Sequence, residues 1–219
     1  MMDRGNMDAN VLASAISDKD VDIDGFVQRL IFDEHIRDEV IQLMLTAPDI
    51  MTYYHCFYIV SKAIEDEPGL FFPYWHDIAA LLEHKNSYHR DFGLTILANL
   101  IQVDRGDLFE GIFQDYFKHI NDPKFMTGEC CIRNCLRIIK NKPEYSDRIV
   151  ALLLDVDHLC TYPIRQLELL KASVLEIFDE IHADTRYKVD VDAFVLSCVN
   201  SKSGKTRLKA REIVRKYGL

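Results

Sequence analysis

Pairs of helices joined by short polar turns recur along this chain at nearly constant spacing. Turn and helix-capping residues predict that the second helix of each pair begins near Asp49, Ser87, Lys124, Tyr162 and Ser203. These starts are 38, 37, 38 and 41 residues apart, and the first helices are predicted to begin near 33, 73, 107, 145 and 188. A period of this length is typical of repeat proteins, in which each helical pair buries its apolar faces against its neighbours.

Composition and patterning both favour helices. Glycine and proline together make up 15 of 219 residues, about 7%, against a usual combined share of roughly 12%, so the chain has few residues suited to tight strand reversals. Strand-like alternation of apolar and polar residues is missing from the sequence. The expected fold is all-α, a right-handed α-α superhelix of about five helical hairpins. The alternative is a non-repetitive helical bundle whose spacing is coincidental.

The predicted domain organisation is simple. Residues 1–20 are expected to form a flexible or capping N-terminal segment, and residues 21–219 a single helical domain. The N-terminal stretch has no sustained apolar core, as a signal peptide would, and no apolar run approaches the ~18 residues of a membrane span. The six cysteines form no C-x-x-C pair, which favours buried free thiols over zinc. These features predict a cytoplasmic protein that does not enter a membrane.

Two segments carry a shared local pattern: a basic residue, a small residue three positions later and an aliphatic residue four further on. They are Arg90-x-x-Gly93-x-x-x-Leu97 and Arg207-x-x-Ala210-x-x-x-Val214. This pattern resembles the second helix of HEAT and armadillo-like repeats, as in bacterial HEAT-like proteins. The resemblance implies that the arginine reaches the turn of a neighbouring repeat and that Gly93 and Ala210 let the paired helix approach closely. Elsewhere the pattern is incomplete, since Glu168 stands where a small residue is expected after Arg165.

Catalytic and cofactor motifs give little support to an enzyme. Gly204-Lys205-Thr206 matches the end of a phosphate-binding loop, but Val199 stands where the first glycine is required. The eight histidines do not have the spacing of paired metal ligands on one helical face. We therefore predict no catalytic residue, no metal site and no cofactor. An active site assembled from distant residues is the alternative, so the sequence favours a non-enzymatic protein without settling the question.

Two aromatic clusters, at 52–58 and 70–75, are the densest in the chain. Most of these side chains are expected to form the core between the first two repeats, because aromatic rings contribute strongly to burial. The alternative is a stacking platform or a ligand pocket on the surface. Trp75 fits either interpretation and is included among the candidate partner-binding residues.

Charge points to the C-terminal helix as a candidate binding element. The net charge is −9, yet residues 201–219 carry seven bases against one acid. Arg207, Arg211 and Arg215 recur every four residues and form one stripe, with Lys205 beside it. This stripe would suit an acidic protein surface or nucleic-acid phosphates. The alternative is a solvated end helix whose bases only complement its dipole.

Two functions follow from these features. The first is a non-enzymatic scaffold or adaptor that holds another protein on the face formed by its second helices. The alternative is a nucleic-acid-binding or DNA-repair module, by analogy with HEAT-like alkylpurine DNA glycosylases, in which Trp75, Asp77, Arg90 and the C-terminal stripe would act. The acidic net charge disfavours nucleic acid, because phosphate contacts need a continuous basic track. A protein is therefore the expected partner, and no oligomeric state is assigned.

Overall fold

The computed structural model describes residues 9–219, which form thirteen α-helices and no β-strand. The predicted all-α class is confirmed for this part of the chain. The helices are α1 Ala9–Ser17, α2 Ile23–Phe32, α3 Glu34–Thr46, α4 Ile50–Asp66, α5 Trp75–Ala80, α6 Ser87–Leu100, α7 Leu108–Phe117, α8 Phe125–Asn141, α9 Ser146–Leu154, α10 Val156–Leu159, α11 Ile164–Ile181, α12 Lys188–Cys198 and α13 Gly204–Tyr217. Short 3-10 segments extend or precede several of them.

Helix starts lie close to the predicted positions where a polar side chain caps the first turn. The carboxylate of Asp49 accepts the Thr52 N–H at 2.8 Å and begins α4, and Ser203 accepts the Thr206 N–H at the start of α13. Such acceptors satisfy amides that have no partner inside the helix. Helix α7 also begins close to its predicted position, at Leu108, but its capping bond does not come from Asp107. Asp107 has a left-handed backbone (φ 56°) and makes no capping bond.

Asp104 caps α7 in place of Asp107. Its buried carboxylate accepts the N–H groups of Leu108 at 3.0 Å and Phe109 at 2.9 Å. The carboxylate that caps α7 therefore comes from three positions before Asp107, the residue at the helix boundary.

Two helices precede the first one that the sequence predicted. Helix α2 begins at Asp22, whose carboxylate accepts the Gly25 N–H, and it buries Phe26, Val27 and Leu30. Helix α1 covers part of the predicted N-terminal segment, and its Ile16 is fully buried. Residues 1–8 of that segment lie outside the described residues. Both α1 and α2 pack on α4.

The second helices form a row in chain order. Helix α4 packs on α6, α6 on α8, α8 on α11, and α11 on α13. The shorter helices pack beside them, with α3 on α4, α5 on α6, α9 on α8 and α12 on α13. One continuous apolar core runs between the helices from Leu12 to Ile213. Residues 9–219 contain no helix with the length and apolarity that a membrane crossing requires.

Arg90 joins the turn before α6 to the turn before α8. Its guanidinium donates two hydrogen bonds to Asp122, at 2.8 and 2.7 Å, and one to the carbonyl of His84 at 2.8 Å. Gly93, one turn further along α6, lies so close to α5 that an added Cβ would be 3.2 Å from the Ile78 carbonyl oxygen. Ala210 is fully buried in the corresponding part of α13. Small side chains therefore occupy both of these contact points.

Candidate functional site on the second-helix surface

The exposed side chains of α4, α6, α8, α11 and α13 share one side of the row, here called the second-helix surface. Contacts between exposed or partly exposed side chains run across it from helix to helix. Lys140 on α8 pairs with Glu180 on α11 at 3.3 Å, and Lys209 on α13 pairs with Asp179 on α11 at 2.7 Å. Below the surface, the buried Asn134 on α8 donates to Thr95 on α6 at 3.3 Å. Because the helices pack in chain order, this surface collects residues that are far apart in the sequence.

Three tyrosines form a cluster at the α4–α6 end of the surface. The ring of Tyr54 lies 5.5 Å from that of Tyr58 and 5.5 Å from that of Tyr88, measured between centroids. Tyr58 is 51% exposed and Tyr88 41% exposed, and Tyr54 is half-buried between them. We call these residues the tyrosine cluster. The aromatic residues of this region therefore do not all belong to the core. Tyr58 and Tyr88 face solvent, while Tyr53 beside them is buried.

Asp91 lies on α6, three residues after Tyr88, and its carboxylate is close to the Thr127 hydroxyl of α8. Its Oδ1 atom is buried, and neither this atom nor the Thr127 Oγ1 atom has a hydrogen bond of standard geometry among the described residues. Burial raises the pKa of Asp91, and the Thr127 hydroxyl and the guanidinium groups of Arg90 and Arg133 offset this only in part. Burial also raises the pKa of Tyr54, as do its neighbours Tyr58, Tyr88 and Asp91. A carboxylate oxygen without a partner is costly to bury, which makes Asp91 a candidate functional residue.

The seam between α6 and α8 is polar but carries no reactive thiol. Cys130 lies 3.5 Å from both the Thr95 hydroxyl and the Asn134 amide nitrogen. Burial raises the pKa of the Cys130 thiol to about 11, so at neutral pH it is protonated and a poor nucleophile. All six cysteines are buried free thiols. The seam therefore offers hydrogen-bonding groups rather than a nucleophile.

Helix α8 presents a row of cations that the sequence interpretation did not identify. Arg133, Arg137 and Lys140 are exposed and follow one another at i, i+4 and i+7, and we call them the α8 cationic stripe. Arg133 forms no ion pair or hydrogen bond within residues 9–219, and Arg137 donates only to the neutral Asn134 at 3.3 Å. All three residues line a groove of about 470 Å³. Their periodicity was available in the sequence, and the spacing alone could have identified the stripe.

The C-terminal helix is less available to a partner than its charge suggested. Lys205 pairs with Glu176 at 3.1 Å, and Lys209 and Lys216 both pair with Asp179 at 2.7 Å. These lysines are thus compensated by acids of the neighbouring α11. The local excess of bases in the sequence is balanced by a helix that lies some 30 residues earlier.

The predicted arginine stripe contacts the end of α12. Arg207 donates to the Ser201 carbonyl at 2.6 Å, and Arg211 donates to the Val199 carbonyl at 3.2 Å. The Val199 carbonyl lies at the C-terminus of α12, where the helix dipole also favours cations, and the Ser201 carbonyl lies in the turn that follows. Arg215 is exposed and makes no such bond within the described chain. Two of the three arginines therefore have structural partners.

The residues proposed for nucleic-acid repair are not gathered in one place. Trp75 is 2% exposed and packs beside Phe72 in the core, so its side chain is not available to a partner in this structure. Arg90 is engaged with Asp122, and Asp77 is exposed on α5 outside the row of second helices. Within residues 9–219 there is also no cluster of three or more histidine, cysteine or acidic side chains arranged to hold a metal ion.

Comparison of the sequence with models of protein families and with curated proteins, and of the fold with solved structures, gives no match.

Proposed function

We propose that the chain is a HEAT-like helical solenoid of about five hairpins. The row of second helices supports this proposal. A second support is that the polar contacts join residues separated by few positions in the sequence. Within the described residues, no hydrogen bond or ion pair joins positions more than 44 apart. Contacts that reach only the neighbouring unit are what a stacked array requires, whereas a bundle brings its two ends together.

Equivalent arginine contacts in two units also support the repeat. Arg90 donates to the carbonyl of His84, and Arg207 donates to the carbonyl of Ser201, in each case six residues earlier in the preceding turn. The pattern that resembles HEAT repeats thus coincides with the same contact in α6 and α13. The two units differ in a second polar contact. Arg90 also pairs with Asp122, whereas in the last unit the Ser201 hydroxyl donates to Glu168.

The function we propose is that of a non-enzymatic scaffold that binds another protein on its second-helix surface. One observation carries this proposal: solvent-exposed aromatic rings in the tyrosine cluster lie on the same surface as Arg133 and Arg137, which have no acidic partner. Exposed aromatic and arginine side chains are enriched where proteins bind one another. The α8 cationic stripe would contact acidic side chains of that partner.

A cytoplasmic location belongs to the same proposal. All six cysteines are free and buried, which suits a compartment that keeps thiols reduced. A protein partner is favoured over nucleic acid, because the cations of α13 are paired with α11 and those of α8 form only a short stripe.

The test is affinity capture from the source cells with two matched variants. Arg133→Glu/Arg137→Glu reverses the unpaired charges of the stripe, and Arg105→Glu/Lys188→Glu reverses two exposed cations elsewhere. We expect wild type and the control variant to recover the same partner protein in stoichiometric amount. The stripe variant should recover at least tenfold less of that protein. Equal recovery by all three, or no stoichiometric protein, would contradict the proposal. Saturable binding of duplex or single-stranded DNA at low salt would support the alternative function.

A further inference from the structure

One edge of the helix row is formed by the turns that precede α6, α8, α11 and α13. We call these turns, with the first two residues of each following helix, the turn edge; it comprises residues 84–88, 122–126, 160–165 and 199–205. Asp122, in the turn before α8, accepts hydrogen bonds from Arg90 of α6 and from the Tyr162 hydroxyl of the turn before α11. The Lys202 N–H, before α13, donates to Glu168 of α11 at 3.3 Å. The four turns therefore lie side by side in chain order.

Each of these turns carries an exposed cation whose side chain has no acidic partner within residues 9–219. These cations lie within two residues of a helix start, at intervals of 39, 41 and 37 positions, and are Lys85, Lys124, Arg165 and Lys202. Lys85, Lys124 and Lys202 take part in hydrogen bonds only through their backbones. The one acid of the turn edge is Asp122, whose buried carboxylate pairs with Arg90. The turn edge is therefore a periodic row of uncompensated positive charge.

Helix stability does not account for these cations. The N-terminus of a helix carries a partial positive charge, so a cation beside it is unfavourable and an acid is favourable. Acids near the turn edge in the sequence have other partners, since Glu83, two residues before Lys85, pairs with Lys118. Asp157, before α11, pairs with Lys171 at 2.7 Å. The row of cations thus suits an anionic ligand from outside the chain.

Exposed apolar side chains accompany the first three cations. Tyr88 is 41% exposed, Met126 58% and Ile164 55%, and each lies within three residues of the cation of its turn. A groove of about 570 Å³ lies between the first two turns, and its lining includes Lys85 and Pro123. The turn edge therefore offers a ligand both positive charge and apolar contacts.

We propose that the turn edge binds an extended acidic segment of another protein, with an acidic side chain at every third residue. Packed helices are about 8–10 Å apart, so the cations of successive turns repeat at about this distance. A polyproline II segment has three residues per turn and rises about 3.1 Å per residue, which places every third side chain on one face about 9 Å apart. Phosphates along a DNA strand repeat about every 3.4 Å and match this spacing poorly. The α8 cationic stripe is not needed for this contact, which therefore goes beyond the proposed function.

The test measures binding of dye-labelled peptides to the full chain by fluorescence anisotropy. The probe peptide has four Glu-Leu-Pro repeats, a second peptide has the same composition with its glutamates in one block, and a third has lysine in place of glutamate. At about 50 mM salt we expect a Kd on the order of 100 μM for the probe peptide, about fivefold weaker binding of the second and none of the third. Raising the salt to about 500 mM should weaken binding of the probe peptide about fivefold or more, because exposed charges are screened.

Two variants locate the site. Lys124→Glu/Arg165→Glu reverses the two central cations and should weaken binding of the probe peptide at least tenfold. This variant should still fold, because acids are favoured at helix N-termini, and circular dichroism checks that it does. Arg105→Glu/Lys188→Glu reverses two exposed cations outside the turn edge and should leave the affinity unchanged. Full affinity in Lys124→Glu/Arg165→Glu, or equal affinity for the two glutamate peptides, would overturn the inference.

Two further ligands separate an acidic protein segment from other anionic surfaces. They are single-stranded oligothymidylate and vesicles of phosphatidylcholine that contain phosphatidylserine. We expect both to bind more weakly than the probe peptide, because residues 1–69, with 14 acids and 5 bases, repel phosphate groups. Tighter binding of either ligand, lost in Lys124→Glu/Arg165→Glu, would overturn the assignment to an acidic protein segment.

The outcome separates this inference from the proposed function, because the peptides are tested without a partner protein. Peptide binding that depends on the turn edge, without a captured partner, would support the acidic-segment site and count against the scaffold. A captured partner that depends on the α8 cationic stripe, together with no peptide binding, would support the scaffold and refute the acidic-segment site.

Discussion

Asp122 has the most extensive polar contacts of any buried side chain described in the chain. Its carboxylate accepts two hydrogen bonds from Arg90, one from the His119 ring at 2.7 Å and one from the Lys124 N–H at 2.7 Å. The Asp122 backbone carbonyl also accepts the Tyr162 hydroxyl at 2.7 Å. One residue therefore connects three successive turns: the one before α6, its own, and the one before α11.

We predict that Asp122→Ala lowers the free energy of unfolding by about 3–5 kcal/mol. The reason is that the Arg90 side chain, only 11% exposed, would lose its one charged partner while remaining largely buried. Urea unfolding followed by circular dichroism measures the change. The matched control is Asp115→Ala, which removes an exposed pair with Lys118 and should cost under about 0.5 kcal/mol. A cost below about 1 kcal/mol for Asp122→Ala would contradict this account.

The same carboxylate predicts a dependence of stability on pH. Burial acts to raise the pKa of Asp122, but the hydrogen bonds from Arg90, Lys124 and His119 outweigh it and hold this pKa below its usual value. The stabilisation is therefore fully present above the unfolded pKa of about 3.9 and is lost as pH falls towards the lower folded value. The difference in stability between wild type and Asp122→Asn should be constant from pH 7 to 5 and shrink below about pH 4. A difference that stays constant down to pH 2.5 would contradict the assignment.

Helix contacts in this chain depend on small residues at close approaches. An added Cβ on Gly93 would lie 3.0 Å from the Leu81 Cβ and 3.2 Å from the Ile78 carbonyl oxygen. Gly128 on α8 is in a similar position, because its added Cβ would overlap the Tyr162 hydroxyl and lie 2.9 Å from the Ile120 carbonyl oxygen. The sequence pattern identified Gly93 but not Gly128, since the basic residue of the pattern is missing from that unit.

We predict that Gly93→Leu lowers the free energy of unfolding by about 1–3 kcal/mol, because the added side chain must force α6 away from α5. Thermal unfolding measures the loss. Gly111→Leu is the control, since Gly111 lies in α7 with no other group within 4 Å of an added Cβ. That change should be neutral or stabilise by up to about 1 kcal/mol through helix propensity. Equal melting temperatures for Gly93→Leu and wild type would argue against close packing at this point.

At the scale of the whole molecule, the polar contacts within residues 9–219 join positions at most 44 apart in the sequence. The longest, from Ser173 to Glu129, spans 44 positions, and most others between units span 30 to 40. In the stacked array that we propose, stability is approximately a sum of local terms and of interfaces between neighbouring units. The end unit, α12 and α13, should therefore be separable from the rest.

We predict that a chain ending at residue 183 still folds and unfolds cooperatively, with lower stability. Deleting 184–219 removes about a sixth of the chain and exposes the face of α11 that packs on α13. The urea m-value should fall by roughly the same fraction, because it scales with the surface exposed on unfolding. Complete loss of helical structure at low protein concentration would favour a single-core bundle over a stacked array.

Local signals in the sequence determined the helical class and most helix starts. Asp33, Asp49 and Ser203 each cap the helix that follows, and capping depends only on a side chain and the three residues after it. The apolar period within each helix is equally local. The cap of α7 was not identified in this way, because the carboxylate that reaches its free amides belongs to Asp104, four residues before the Leu108 amide.

Tertiary structure alone decided which side chains face a partner. It buried Trp75, left Tyr58 and Tyr88 exposed, and paired Lys209 with Asp179, although the residues around each gave no hint of these differences. It also placed Tyr88 beside Tyr54, 34 positions away. The physical reason is that exposure and charge compensation depend on which neighbouring helix covers each face. That information lies 30 to 40 positions away in the sequence and becomes available only when the helices pack together.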